Sequence, residues 1–205
     1  AIDFLQKLNK VVFEKFPNIL MIAEESTAWG GVTKPVHDGG LGFNFKWNMG
    51  WMNDILRFMA MDPYFRGSNH NMITFSMMYA YSENYILPLS HDEVVHGKKS
   101  LLDKMYGNYG QKFAQLKLLC AFMYAHPGKK LMFMGGEFGQ FVEWRFAEGL
   151  DWHLLDYESH KGLWNFVSAL NKFYRENRSM YENDHNWKGF AWLNADDYEH
   201  SVVSF

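Results

Sequence analysis

Apolar residues along the chain alternate between two spacings. Within residues 3–16, Phe4, Leu5, Leu8, Val11 and Val12 recur at helical spacing, with Asp3 as cap and Pro17-Asn18 as stop. The run Ile19-Leu20-Met21-Ile22-Ala23 then has no polar interruption, which predicts a strand buried on both faces, as in a parallel sheet. Residues 42–48 predict a short strand, and 50–61 a helix closed by Asp62-Pro63. Residues 72–81 follow neither spacing. Tyr85-Ile86-Leu87-Pro88-Leu89 is another strand-length run, weakened by Pro88, which has no N–H for a ladder. Phe113, Leu116, Leu119, Cys120 and Met123 form one stripe of a helix over 109–124, ended by Pro127-Gly128. Leu131-Met132-Phe133-Met134 predicts the fourth strand, and 161–176 the last long helix, with Leu163, Phe166, Val167, Leu170, Phe173 and Tyr174 inward.

Strand and helix in alternation predict βα units and an α/β fold with a parallel sheet. After Arg178 the texture changes: Gly189–Leu193 and Ser201–Phe205 predict two strands around a turn at Asn194-Ala195-Asp196-Asp197, the opening of an all-β domain. The chain starts inside a helical pattern and stops inside a strand pattern, so we expect it to be an excerpt of a longer protein.

Composition narrows the options. The 205 residues are 48% hydrophobic and 18% aromatic, enough for a sizeable core. A net charge of -3, with no basic run longer than Lys98-Lys99 or Lys129-Lys130, argues against nucleic acid; both pairs read as ordinary surface. The single cysteine, Cys120, lies in an apolar helical stripe and reads as buried packing. No stretch is long and apolar enough to predict a membrane span, and no signal peptide is visible, which fits a cytoplasmic location. Neither G-x-G-x-x-G nor a P-loop pattern is present.

The informative polar residues follow the strands: Glu24-Glu25, His91-Asp92-Glu93 and Glu137. In (β/α)8 barrels the C-terminal strand ends carry the chemistry. A carboxyl directly after a buried strand, such as Glu24, can be partly desolvated and kept protonated as a proton donor. Alternation sends Glu24 and Glu25 to opposite faces, so only one enters a site, and spacing alone leaves the choice open. His91 and His96 lie five apart, which does not fit the metal-binding His-Glu-x-x-His helix, and we expect no metal. Trp29, Trp47, Trp51, Trp144 and Trp152 lie in or beside predicted loops, where flat rings next to carboxylates suit stacking on sugars.

Several strings then resemble the branching enzymes of the α-amylase superfamily. Met21-Ile22-Ala23-Glu24-Glu25-Ser26-Thr27 resembles their third conserved region, and the segment from Leu89 through His91-Asp92-Glu93 to Ser100 resembles their fourth. Gly39–Phe43 with Lys46–Met52 is similar to the segment between those regions. Phe133–Gln140, with Glu143-Trp144 and Leu150-Asp151-Trp152, is similar to the last strand and loop of their barrel. The resemblance covers nearly the whole chain. It implies strands five to eight of a (β/α)8 barrel over 1–180 and the start of a C-terminal β-sandwich over 181–205. It implies Glu24 as general acid/base and Asp92 as transition-state stabiliser. His91, Glu25, Trp47 and Glu137 would be substrate-binding or supporting residues.

The family's nucleophilic Asp would precede Ala1, so the chain alone is expected to be inactive. The implied reaction is retaining transglycosylation of an α-1,4-glucan to a 6-hydroxyl, through carboxyls about 5–5.5 Å apart, with no cofactor. The implied partners are the glucan and the N-terminal half of the same barrel. A half-barrel would expose sheet edges and an apolar face, so self-association is expected for the fragment. Two other readings share the same residues: a related glucan hydrolase, and a non-catalytic glucan-binding half-barrel.

Overall fold

The computed structural model describes residues 1–205. Helix α1 spans Ile2–Lys15. Its N-cap is Ala1; Asp3, expected as the cap, lies in the first turn. Strand β1 is only Ile22–Ala23, shorter than the expected 19–23, and it is buried on one face only. Ile19, Leu20 and Ile22 stay exposed because β1 is the sheet's edge, paired with β2 on one side. For the same reason Phe4 and Val11 of α1 stay exposed, although Leu5 packs on Ala23, Val32 and Leu41.

Strand β2 is Phe45–Trp47, and helix α2 follows at Met49–Ala60. Asn48 caps α2 by accepting the Trp51 N–H at 2.9 Å. The helix buries Trp51, Met52, Ile55, Phe58 and Met59, so Trp51 belongs to the core and not to a loop. Two short helices, α3 (Pro63–Arg66) and α4 (Asn71–Thr74), carry the chain to β3, Tyr85–Leu89. Strand β3 is central despite Pro88. Asn48 N–H bonds Ile86 O on the β2 side and Phe133 N–H bonds Leu89 O on the β4 side. Alternation therefore turns Pro88 toward β2, past Trp47, where β2 has ended and no acceptor waits.

Helix α5 (Leu101–Lys104) precedes α6 (Tyr109–Ala125), which starts with a capping box between Asn108 and Gln111. Strand β4 is Lys129–Met132, two residues earlier than expected. Lys129-Lys130 is thus not ordinary surface. Lys130 Nζ donates to His126 O and to Gly128 O and lies over the Tyr174 ring. Burial pushes its ammonium down to about 7. Helix α7 spans Glu158–Glu176. The terminal hairpin pairs β5 (Asn194–Asp197) with β6 (Val202–Ser204). The expected turn residues 194–197 are themselves a strand, and the chain reverses after Asp197 instead.

The four strands form one parallel sheet in the order β1-β2-β3-β4. Its main core joins β3 to α2, α5, α6 and α7 through Leu87, Leu89, Leu116, Leu119, Met123 and Leu163, among others. Burying each such side chain contributes roughly 1.5–3 kcal/mol. Cys120 is fully buried in this core, and burial pushes its thiol up to about 12, so it acts as packing. No helix is long and apolar enough to cross a membrane.

Candidate active site

A parallel sheet delivers all its C-terminal ends to one rim. The register places Ala23 beside Lys46 and Trp47 beside Ile86. Ala23 packs on the α1 side, and Leu87 and Leu89 pack on α2 and α6. By alternation, Ile22, Glu24, Trp47 and Ile86 share the opposite face, away from the helices. Glu25 falls on the helix side.

The two adjacent carboxylates accordingly do different things. Glu25 pairs with the buried Lys46 ammonium and accepts from Thr27 N–H at 2.9 Å and Thr27 Oγ1 at 2.6 Å. Burial pushes its carboxyl up, but these bonds outweigh burial and hold it below the usual range. Glu24 is exposed and makes no side-chain hydrogen bond, so the desolvation expected at the end of β1 is not found. The cause is the open edge: β1 has no neighbour on that side to cover it.

At the end of β3, Ser90 opens a turn over His91–Glu93. Glu93 is buried and accepts Ser90 N–H at 2.8 Å and Ser90 Oγ at 2.6 Å, a capping box. This anchors the turn and leaves His91 and Asp92 half-exposed, with His91 Nε2 3.2 Å from Asp92 Oδ1. The His91 ring meets Phe133 at 6.0 Å and Trp144 edge-on at 6.2 Å. Glu137 follows β4 in a turn between Gly135 and Gly139, both in the left-handed region, and makes no side-chain hydrogen bond.

Glu24 follows β1 and Asp92 follows β3, strands two apart in the sheet, a lateral offset of ~10 Å between their ends. A cleft of about 530 Å³ is lined by Glu25, Lys46, Asn48, Asp54 and Tyr79, with Trp29 and Trp47 in its wall; Glu24, His91 and Asp92 do not line it. Trp144 belongs to the His91 cluster, whereas Trp152 packs on Phe138 at 5.0 Å.

Three charged residues were not singled out in the sequence: Lys46 and Glu143 near the rim, and Glu83 just before β3, at the opposite end of the sheet. Lys46 neutralises Glu25 and donates to Thr27 O at 3.2 Å. Glu83 accepts Val32 N–H at 2.9 Å and Thr33 N–H at 2.8 Å, which fixes the loop after β1. Glu143 does the same for the loop after β3. The one usable signal was Lys46, a charge inside the apolar string Phe45-Lys46-Trp47.

Solved structures share this fold. The chain superposes on a maltogenic amylase from S. marinus with a TM-score of 0.61 at 18% identity, covering 94% of this chain and 25% of that one. An α-amylase from H. orenii gives 0.57 at 16% identity, covering 88% of this chain and 40% of that one. The fold is therefore that of part of an α-amylase-type barrel. No family model matches the chain.

Sequence narrows the class. Over all 205 residues the chain is 63% identical to the 1,4-alpha-glucan branching enzyme GlgB of Halothermothrix orenii. It is 59% identical to that of Geobacillus stearothermophilus and 56% to that of Aquifex aeolicus. By sequence the whole chain is similar to one part of these 1,4-alpha-glucan branching enzymes, and it spans 32% of the length of these curated relatives.

Proposed function

We propose that these residues form the acid-bearing half of a 1,4-α-glucan branching enzyme. In this reading β1 to β4 are strands five to eight of a (β/α)8 barrel, residues 1–180 are its C-terminal half, and 181–205 open a β-sandwich. The nucleophile comes from residues outside this chain, in the N-terminal half of the barrel, and the location is cytoplasmic.

One observation carries the assignment of roles. Of the carboxylates at the strand ends, Glu25 and Glu93 are consumed by Lys46, Thr27 and Ser90. Glu24 and Glu137 make no side-chain hydrogen bond and Asp92 meets only His91; of the two free glutamates, Glu24 directly follows a strand and takes the acid role. Glu24 acts as general acid, protonating the leaving glycosidic oxygen, then as base toward the incoming 6-hydroxyl. Asp92 holds sugar hydroxyls and favours the cationic transition state, with His91 on the same ring. Trp47, with Glu137 across the rim, lines the path of the glucan. Transfer to a second chain in place of water depends on covering the intermediate, and the Phe133 and Trp144 rings beside His91 serve that end.

The test is made in a branching enzyme carrying this sequence. Glu24→Gln and Asp92→Asn are each expected to lower branch formation at least about 100-fold. Formation is followed by new α-1,6 linkages in the NMR spectrum of amylose, without release of reducing sugar. Loss of activity in Glu25→Gln with full activity in Glu24→Gln would reverse the two roles. Branching by the isolated 205-residue chain would refute the placement of the nucleophile elsewhere.

A further inference from the structure

Glu143 lies on the loop after β4 and has no role in the chemistry above. Its Oε2 accepts the Gly97 N–H at 3.0 Å and its Oε1 accepts the Lys99 N–H at 2.6 Å. Both donors have left-handed backbone, with φ of 80° at Gly97 and 65° at Lys99. For Lys99, which carries a Cβ, that conformation is strained and persists only where the surroundings hold it. The next residue closes a second contact between the same loops: Trp144 N–H donates to Val94 O at 2.8 Å. The Trp144 ring then stands edge-on to His91 at 6.2 Å and against Phe133 at 5.0 Å. Two consecutive residues thus brace the segment that continues from His91-Asp92 and abut the His91 ring itself.

We propose that Glu143 is a positioning residue: it clamps the loop after β3 onto the loop after β4 and so orients His91 and Asp92, without touching substrate. The inference rests on the proposed roles of His91 and Asp92. The clamp requires a carboxylate. Two N–H donors point at Glu143, and each takes one oxygen. A glutamine would turn an NH2 toward one of those donors, and an aspartate is one methylene short. The bonds from Lys99 and Gly97, with burial opposing them and the charges of His96 and Lys104 assisting, hold the Glu143 carboxyl below the usual range. His96 Nδ1 lies 3.7 Å from it. The loops are exposed, so water replaces the lost acceptor in a variant and the fold survives.

The test uses a branching enzyme carrying this sequence, with Glu143→Gln, Glu143→Asp and Arg145→Ala compared by steady-state kinetics on amylose. Glu143→Gln is expected to lower kcat by about 10- to 100-fold, the scale of a small misplacement, with KM little changed. Glu143→Asp is expected to fall between it and the parent. Arg145→Ala, on the same loop but paired outward with Glu148, is expected to keep the parental kcat. Hydrogen exchange at the Gly97 and Lys99 amides is expected to quicken in Glu143→Gln. Parental kcat in Glu143→Gln, while Glu24→Gln and Asp92→Asn are inactive, overturns the clamp and leaves the proposed function standing. A drop of more than about 5 °C in unfolding temperature in Glu143→Gln assigns a general structural role and overturns it too. Activity in Glu24→Gln and Asp92→Asn removes the proposed function and the clamp with it.

Discussion

Glu93 and Asp92 are neighbours with opposite expected phenotypes, and the difference can be worked from their contacts. Glu93 is 8% exposed and Ser90 is 2% exposed. One Glu93 oxygen accepts both the Ser90 N–H and the Ser90 hydroxyl. In Glu93→Ala two buried donors lose their acceptor at about 1–3 kcal/mol each, so the variant is expected to lose ~2–5 kcal/mol. Against a total stability of about 5–15 kcal/mol this is a large fraction. With an m-value of about 1–3 kcal/mol per molar urea, the midpoint falls by roughly 0.7–5 M. Asp92 is half-exposed, and its one partner is His91 at 3.2 Å, an exposed pair of about 0–1 kcal/mol. Asp92→Asn should therefore unfold within about 1 kcal/mol of the parent, while, under the proposed function, abolishing branch formation in a branching enzyme that carries this sequence. Urea unfolding at pH 7 followed by tryptophan fluorescence measures both. A Glu93→Ala loss below about 1 kcal/mol, or a larger loss for Asp92→Asn, would refute the division between anchor and working residue.

Two further outcomes bear on the scaffold. Leu116 is fully buried in the main core, so Leu116→Ala should cost about 2–5 kcal/mol in the same unfolding assay; a loss below 1 kcal/mol would place it outside the core. His126 is buried between Ser76 Oγ at 2.8 Å and Pro127 O at 2.8 Å, and burial pushes its imidazole down from 6.5 to about 4. Between those values the unfolded chain binds a proton that the folded chain does not. Stability present above pH 6.5 is therefore lost as pH falls toward 4, by up to about 3 kcal/mol. His126→Phe is expected to flatten that part of the stability profile, and parallel profiles for parent and variant would contradict the assignment.

Helices were more legible in the sequence than strands, for a physical reason. The stripe and stop of α6 are local, and its end at Ala125 lies one residue from the reading made from Phe113 to Pro127. Strand extent depends on the partner. The apolar run from Ile19 to Ala23 pairs only at Ile22 and Ala23, because β2 meets it only there. Lys129 and Lys130 look like surface in sequence, yet they start β4 because Ile86 and Leu87 lie beside them. The polar strand ends were visible from the start. Which of Glu24 and Glu25 faces away from the helices was not, since that turns on Ala23 meeting Val32 and Leu41 of a later loop. Glu83 went unnoticed, and Glu143 was noted only within a resembling string, because each acts on backbone 51 and 46 residues distant.

The carboxylates of this rim divide by what faces them, and the division constrains the chemistry. Glu25, Glu93 and Glu143 each meet donors supplied by the fold, chiefly backbone N–H groups of loops. An ionised oxygen that accepts such a donor is a strong anchor, and its lone pairs are engaged before any ligand arrives. A group that must pass a proton or hold a sugar hydroxyl needs those lone pairs free and its surroundings completed by the substrate. Glu24 and Asp92 meet that condition, and they follow a strand and a turn whose neighbours Glu25 and Glu93 are anchored. Under the proposed roles, each of these two carboxylates is held in place by the residue beside it in sequence. Replacing the anchor should then move the working group without altering its chemistry, and replacing the working group should alter the chemistry without moving the rim.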